Sequence, residues 1–289
     1  MEPRELDEGR RTVSTKSGEI SYIDIGTGPA ALFVHGVGTN AYLWRHVIGA
    51  LAPARRCLAI DLPLHGQTPI GAGQDLSVAG MASVLEDFCD ALDLAGIDLV
   101  ANDTGGAVAQ VFAARNARRL ATFTLTNCDT AGNLPPEGFK PVVEMAAAGA
   151  LAPAMAELMG DIAAARDAAF GAAYEHPEKA DLEVIRAYLE PCFGTPQRAR
   201  EFERLLTSLD PADLEAVEPQ LRELRVPTLV VWGTGDSFMD VSWAYWLRDT
   251  IPGVTRVVTV DDARLFFPEE RPGDLVPHLT EHWAAHSRP

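Results

Sequence analysis

The chain has 289 residues and carries 41 Asp and Glu against 24 Lys and Arg, a formal charge of −17. That length suits one large α/β domain or a core plus a cover, and that charge argues against nucleic acid and against an anionic membrane surface as partners. The 4 cysteines are scattered without redox or metal spacing and the 7 histidines include no HExxH, so buried thiols, no metal and no cofactor are expected.

In chain order, residues 1–10 are polar, and the charged stretch from Met1 to Arg11 is no apolar leader, so a cytoplasmic location is expected. Residues 11–17 and 19–25 alternate as two antiparallel strands joined at Ser17-Gly18. Residues 30–34, Ala-Ala-Leu-Phe-Val, form a continuous apolar strand of the kind buried on both faces. It ends at His35-Gly36-Val37-Gly38, a loop able to turn N–H groups toward a neighbouring site. A helix over 41–51, a strand over 57–60, the loop Asp61 to Gly66 and an amphipathic helix over 75–94 follow.

Next comes Ile97-Asp98-Leu99-Val100, a short strand, then Ala101-Asn102-Asp103-Thr104-Gly105-Gly106, then a helix with small residues. A strand turning sharply into a helix around one reactive side chain is a nucleophile elbow. The usual frame is G-x-S-x-G; here it is Ala101-Asn102-Asp103-Thr104-Gly105, with Asp103 at the reactive position. Sliding the frame to make Thr104 the nucleophile places bulkier Asn102 where a small residue is needed, and is the weaker reading. At the helix N-terminus an aspartate is expected to stay ionised near neutrality and to need no base.

A strand over 121–125 ends at Asn127-Cys128-Asp129. Residues 134–224 hold no convincing strand, only helical segments near 139–151, 153–174, 180–188, 197–209 and 214–224, and read as a lid. The apolar run 145–156 inside it is too short to span a bilayer. The sheet resumes with Thr228 to Trp232 and ends at Gly233-Thr234-Gly235-Asp236; a helix over 243–250, a strand over 257–260, Arg264-Leu265-Phe266 and a helix over 274–285 close the chain. His278, His282 and His286 read as solvated residues of that helix. The alternation predicts a mostly parallel sheet with helices on both faces. Residues 1–133 and 225–289 are then two parts of one core around the helical lid 134–224.

These residues resemble an α/β-hydrolase, closest to the haloalkane dehalogenase and epoxide hydrolase branch. The carrying stretches are His35-Gly36, Tyr42-Leu43-Trp44-Arg45, Arg56 to Leu62, Asp103-Thr104-Gly105-Gly106 and Gly233-Thr234-Gly235-Asp236. The resemblance implies an eight-stranded sheet, Asp103 as nucleophile, Asp236 as the acid, and the Val37 and Thr104 N–H groups as an oxyanion hole. It also marks departures. A Trp after the nucleophile and an Asn after His-Gly hold the leaving halide in dehalogenases, and here Thr104 and Val37 stand there. The family's catalytic His aligns with Leu265, next to Arg264. His35, Asn102, Arg264, Leu265, Tyr174 and Tyr188 are candidates for the pocket wall, the tyrosines as the acids that epoxide opening needs; His35 or His65 is a candidate replacement base.

The expected partner is a small, largely apolar substrate, and the chain is expected to be a monomer or homodimer. The leading expectation is hydrolysis of an epoxide or ester with an atypical triad. A non-hydrolytic isomerase, cyclase or lyase using Asp103 for proton transfer, and a ligand-binding protein that has lost turnover, stand as alternatives.

Overall fold

Strands apolar along their whole length end up at the centre of the sheet. The computed structural model describes residues 1–286. Its strands are β1 (Arg10–Thr15), β2 (Gly18–Ile25), β3 (Ala30–Val34), β4 (Arg56–Ile60), β5 (Ile97–Asp103), β6 (Leu120–Cys128), β7 (Thr228–Gly233) and β8 (Val254–Val260). They form one 8-stranded sheet in the order β1-β2-β4-β3-β5-β6-β7-β8. Every residue of β5 and β7 is buried, as covering helices on both faces require. The hairpin β1–β2 and the pair β2–β4 are antiparallel, and all later pairings are parallel.

The strand order fixes where a ligand can sit. From β3 the chain moves to one side to make β4, then crosses back to place β5 on the other side of β3. The loops leaving β3 and β5 therefore diverge and leave a crevice at the carboxyl ends of those two strands. Both the His35–Gly38 loop and the Asp103 elbow lie there.

β6 reaches Cys128, three residues beyond the strand expected from apolar residues alone. β-Branched Thr126 carries the extension, its Oγ1 donating to the Ala101 carbonyl at 3.2 Å, and within the strand Thr122 Oγ1 donates to Asp98 Oδ1 at 2.7 Å. His282, expected in solvent, is buried with its Nε2 3.2 Å from the Pro227 carbonyl.

The helices between β6 and β7 also differ in detail. The segment 153–174 breaks into Leu151–Leu158 and Ile162–Phe170, because Asp161 caps the second helix by accepting from the Ala163 and Ala164 N–H groups. Helix Leu182–Phe193 runs on through Pro191. Pro191 has no N–H for the Ala187 carbonyl, and the Asn40 side-chain amide donates to that carbonyl instead, at 2.9 Å. Residues 214–224 form two short turns, Ala212–Glu215 and Glu218–Leu221, which pack on the core helix Thr104–Asn116. Asp213 accepts from the Ala79 N–H at the start of helix Val78–Ala91, at 3.0 Å. By contact, this last part of the 134–224 block covers the core.

Among the described residues no single helix is long and apolar enough to cross a membrane. The consecutive apolar helices Lys140–Ala147 and Leu151–Leu158 are bent sharply against each other and both contribute to the cavity described next.

Candidate active site

Asp103 is the last residue of β5 and sits at φ 57°, ψ −140°, a strained conformation for a residue with a side chain. The turn is possible because its neighbours are small. A Cβ on Gly36 would lie 2.1 Å from Asp103 Oδ2, one on Gly105 2.2 Å from the His35 carbonyl oxygen, and one on Gly106 2.3 Å from Cys128 Cβ. Gly105→Ala makes a test of this crowding. Ala in a helix gains up to about 1 kcal/mol over Gly, while forced overpacking costs about 1–3 kcal/mol; against backbone atoms the clash wins. The variant is expected to unfold at lower urea concentration than the wild type, and an unchanged or higher midpoint would show that the β3 loop has room.

The backbone N–H groups of Val37 and Thr104 lie beside the Asp103 carboxylate and favour its charged form. Two buried histidines shape the loop that presents Val37. His35 Nε2 accepts from the Leu62 N–H at 2.9 Å, so its Nδ1 carries the proton and donates to the Gly36 carbonyl at 2.7 Å. His65 Nε2 accepts from the Gly38 N–H at 3.0 Å, and its Nδ1 donates to the Pro63 carbonyl at 3.0 Å. Burial lowers the two imidazoles to about 4 and about 3. Both are neutral braces with their ring nitrogens committed, and neither lines the cavity, so neither offers a free base.

The expectation that Asp103 is freely ionised is corrected. Burial, reinforced by the charge of Asp236, raises its pKa to about 7 against the pull of the two N–H donors. The helix terminus supplies hydrogen bonds, but loss of water costs the carboxylate more. Asp236 is raised to about 6, again chiefly by burial. Its Oδ1 accepts from the Phe238 and Met239 N–H groups and its Oδ2 from Asn127 Nδ2 at 2.8 Å. Expected as the second catalytic acid, Asp236 thus has both oxygens engaged away from the cavity, and it acts on Asp103 through its charge.

Over Asp103 lies an apolar cavity of about 270 Å³, roofed by Phe139, Met155, Phe170, Phe193 and Phe202 from the helical block and walled by Leu265. Its polar side chains, among the described residues, are Asp103, Thr104 and Asp129 alone. Of the six wall candidates, only Leu265 is present. Asn102 turns its amide to Thr126 Oγ1 and to the Leu265 carbonyl, both at 3.0 Å, tying the loop after β8 to the elbow strand. Tyr174 and Tyr188 are buried beside the cavity, and both hydroxyls donate to Glu269 Oε2 at 2.9 Å while Glu269 Oε1 pairs with Arg45 at 2.7 Å. The Glu269 carboxylate, fixed by Arg45, offers both hydroxyls a charged acceptor within the buried cluster. Arg264 donates to the Tyr174 carbonyl at 3.2 Å.

Asp129 is the residue that sequence reasoning passed over. It follows β6 at the edge beside the elbow, is 1% exposed, and accepts from Thr104 Oγ1 through Oδ2 at 2.8 Å. Its position at the end of the strand next to β5 was the available signal.

A family model described as alpha/beta hydrolase fold matches residues 29–174. The chain belongs to the α/β-hydrolase fold family. Among α/β-hydrolase-fold relatives, a haloalkane dehalogenase of Mesorhizobium japonicum is 39% identical over 102 residues, 35% of this chain and 33% of that protein. The match thus spans about a third of that relative's length. Of solved structures, an alpha/beta hydrolase fold protein from Burkholderia ambifaria superposes with a TM-score of 0.81 at 22% identity, over 94% of this chain and 97% of the other. The epoxide hydrolase CorEH does so at 0.79 and 19%, over 96% and 98%.

Proposed function

We propose that this chain is an enzyme that opens small, apolar epoxides through nucleophilic attack by Asp103. The observation that carries the reading is the Asp103 carboxylate, set beside the Val37 and Thr104 N–H groups at the floor of an apolar cavity. A carboxylate attacks a strained sp³ carbon and forms an ester, whose carbonyl oxygen then lies against those same two N–H groups as its tetrahedral intermediate forms. The cavity, about 270 Å³, lies just below the range of about 300–1,000 Å³ for drug-sized sites and suits a small substrate. Epoxide is favoured over ester because a carboxylate attacking an ester gives a reactive anhydride. Leu265 stands in the place that the resemblance gives to the histidine base, and no histidine lines the cavity among the described residues. That observation favours a second reading, proton transfer by Asp103 without an ester.

Single turnover of terminal epoxides in ¹⁸O water separates the two. Ester hydrolysis leaves one ¹⁸O in Asp103 and gives a diol; an isomerised product with unlabelled protein would replace the first reading by the second, and saturable binding without product would leave a binding protein.

Halide release from bromoalkanes is expected to stay at background in steady-state ion-selective measurements. Val37 has no side-chain donor, and the Thr104 hydroxyl is committed to Asp129. Sustained release would show that another group stabilises the leaving halide.

A further inference from the structure

We propose that Asp129 is both the acid that opens the epoxide and the base that later releases the diol. The inference rests on the reading of Asp103 as nucleophile and assigns the rest of that reaction. The Oδ1 atom of Asp129 is enclosed, has no hydrogen-bond partner in the protein, and belongs to a side chain on the cavity wall. Its other oxygen accepts the Thr104 hydroxyl proton. A neutral Asp129 carboxyl therefore carries its proton on Oδ1, the free oxygen, as a donor needs.

Two further observations agree. Burial and the Asp103 charge push the Asp129 carboxyl well above the usual carboxylate range, the direction a proton donor needs. The side chains that would otherwise serve are committed elsewhere: the tyrosines to Glu269, the histidines to backbone. The ionisable groups facing the pair are Asp236 after β7 and Cys128 at the end of β6, whose thiol burial also raises. Arg264 lies nearer Asp236 and lowers it. The lining includes no cation among the described residues.

The Asp103 carboxylate attacks one epoxide carbon, the ring C–O bond breaks, and the oxygen takes the Asp129 proton as it becomes a hydroxyl. Asp103 is now a neutral ester and Asp129 a carboxylate. Without the Asp103 charge beside it, Asp129 is a competent carboxylate base for a water molecule. Hydroxide adds to the ester carbonyl, the water proton goes to Asp129, and the oxyanion rests on the Val37 and Thr104 N–H groups. Collapse expels the alkoxide, which takes the proton of the Asp103 carboxyl. The products are diol, Asp103 carboxylate and protonated Asp129, with one water consumed.

The test compares a terminal epoxide with an alkyl methanesulfonate, whose leaving group needs no proton. In the wild type, single-turnover alkylation by the epoxide should fall on the alkaline side while alkylation by the sulfonate does not; identical pH profiles overturn the acid role. In Asp129→Asn, a near-isosteric change, epoxide alkylation should slow by about 10²–10⁴-fold. Alkylation by the sulfonate should keep its rate, and its ester should persist on Asp103 by intact mass while the wild type clears it. An ester cleared at the wild-type rate overturns the base role. Should Asp129→Asn not fold, the wild-type pH comparison still decides. If Asp103→Asn is inactive and Asp129→Asn fully active, Asp129 alone is misassigned. If Asp103→Asn turns over normally, both assignments fall.

Discussion

Asp103→Asn is expected to reduce epoxide turnover by at least about 10³-fold and to abolish the ester on the elbow residue. The substituted amide is nearly the same shape, so the cavity survives, but an amide oxygen is a poor nucleophile for carbon. The Val37 and Thr104 N–H groups beside the carboxylate favour its charged form. In the variant, the same N–H groups meet the neutral amide oxygen. The measurement is steady-state diol formation with intact mass alongside. Slow recovery over hours is to be checked as deamidation before it is read as activity. Unchanged kinetics would move the chemistry off the elbow, with Thr104 the next residue to test.

The same variant is expected to gain stability over the wild type as pH rises. Asp103 has an unfolded pKa near 3.8 and a folded one of about 7. The folded state therefore holds the proton more tightly, and stability is lost as pH rises from the first value through the second. At about 1.4 kcal/mol per unit, the buried charge costs about 4 kcal/mol once ionised. His35 and His65 work oppositely. Burial lowers them to about 4 and about 3, so their contribution to stability grows as pH rises from there toward the ordinary histidine value. The measurement is thus a difference in urea unfolding free energy between variant and wild type at pH 4.5 and pH 8. An advantage of Asp103→Asn that does not grow across that span would mean water reaches the carboxylate.

Much of the fold was legible because its signals are local. The Leu32-Phe33-Val34 run has to be a buried strand, and small residues at 105 and 106 mark a helix pressed against its neighbours. Leu265 on the cavity wall was legible from its place after the last strand. What stayed hidden depends on side-chain direction. Tyr174 looks available as an acid until Glu269, 95 positions later in the chain, is seen to accept its hydroxyl. Asp129 looks like a strand terminus until one of its oxygens is found without a partner. Asp103 looks ionised by helix position, and only the extent of burial shows that desolvation outweighs the N–H donors.

Asn40 carries a consequence of its own. It follows the Val37 loop directly; its Oδ1 accepts from the Tyr42 N–H at 2.9 Å, and its amide donates to the Ala187 carbonyl that Pro191 leaves free. One side chain is thus a latch with its two ends on different parts of the molecule, the Ala187 carbonyl of the helix over the cavity and the Tyr42 N–H of the turn after the Val37 loop. Swinging that helix away breaks a bond made by the residue three positions after Val37. The helix that covers the cavity and the chain that leads out of the Val37 loop are therefore joined through one side chain.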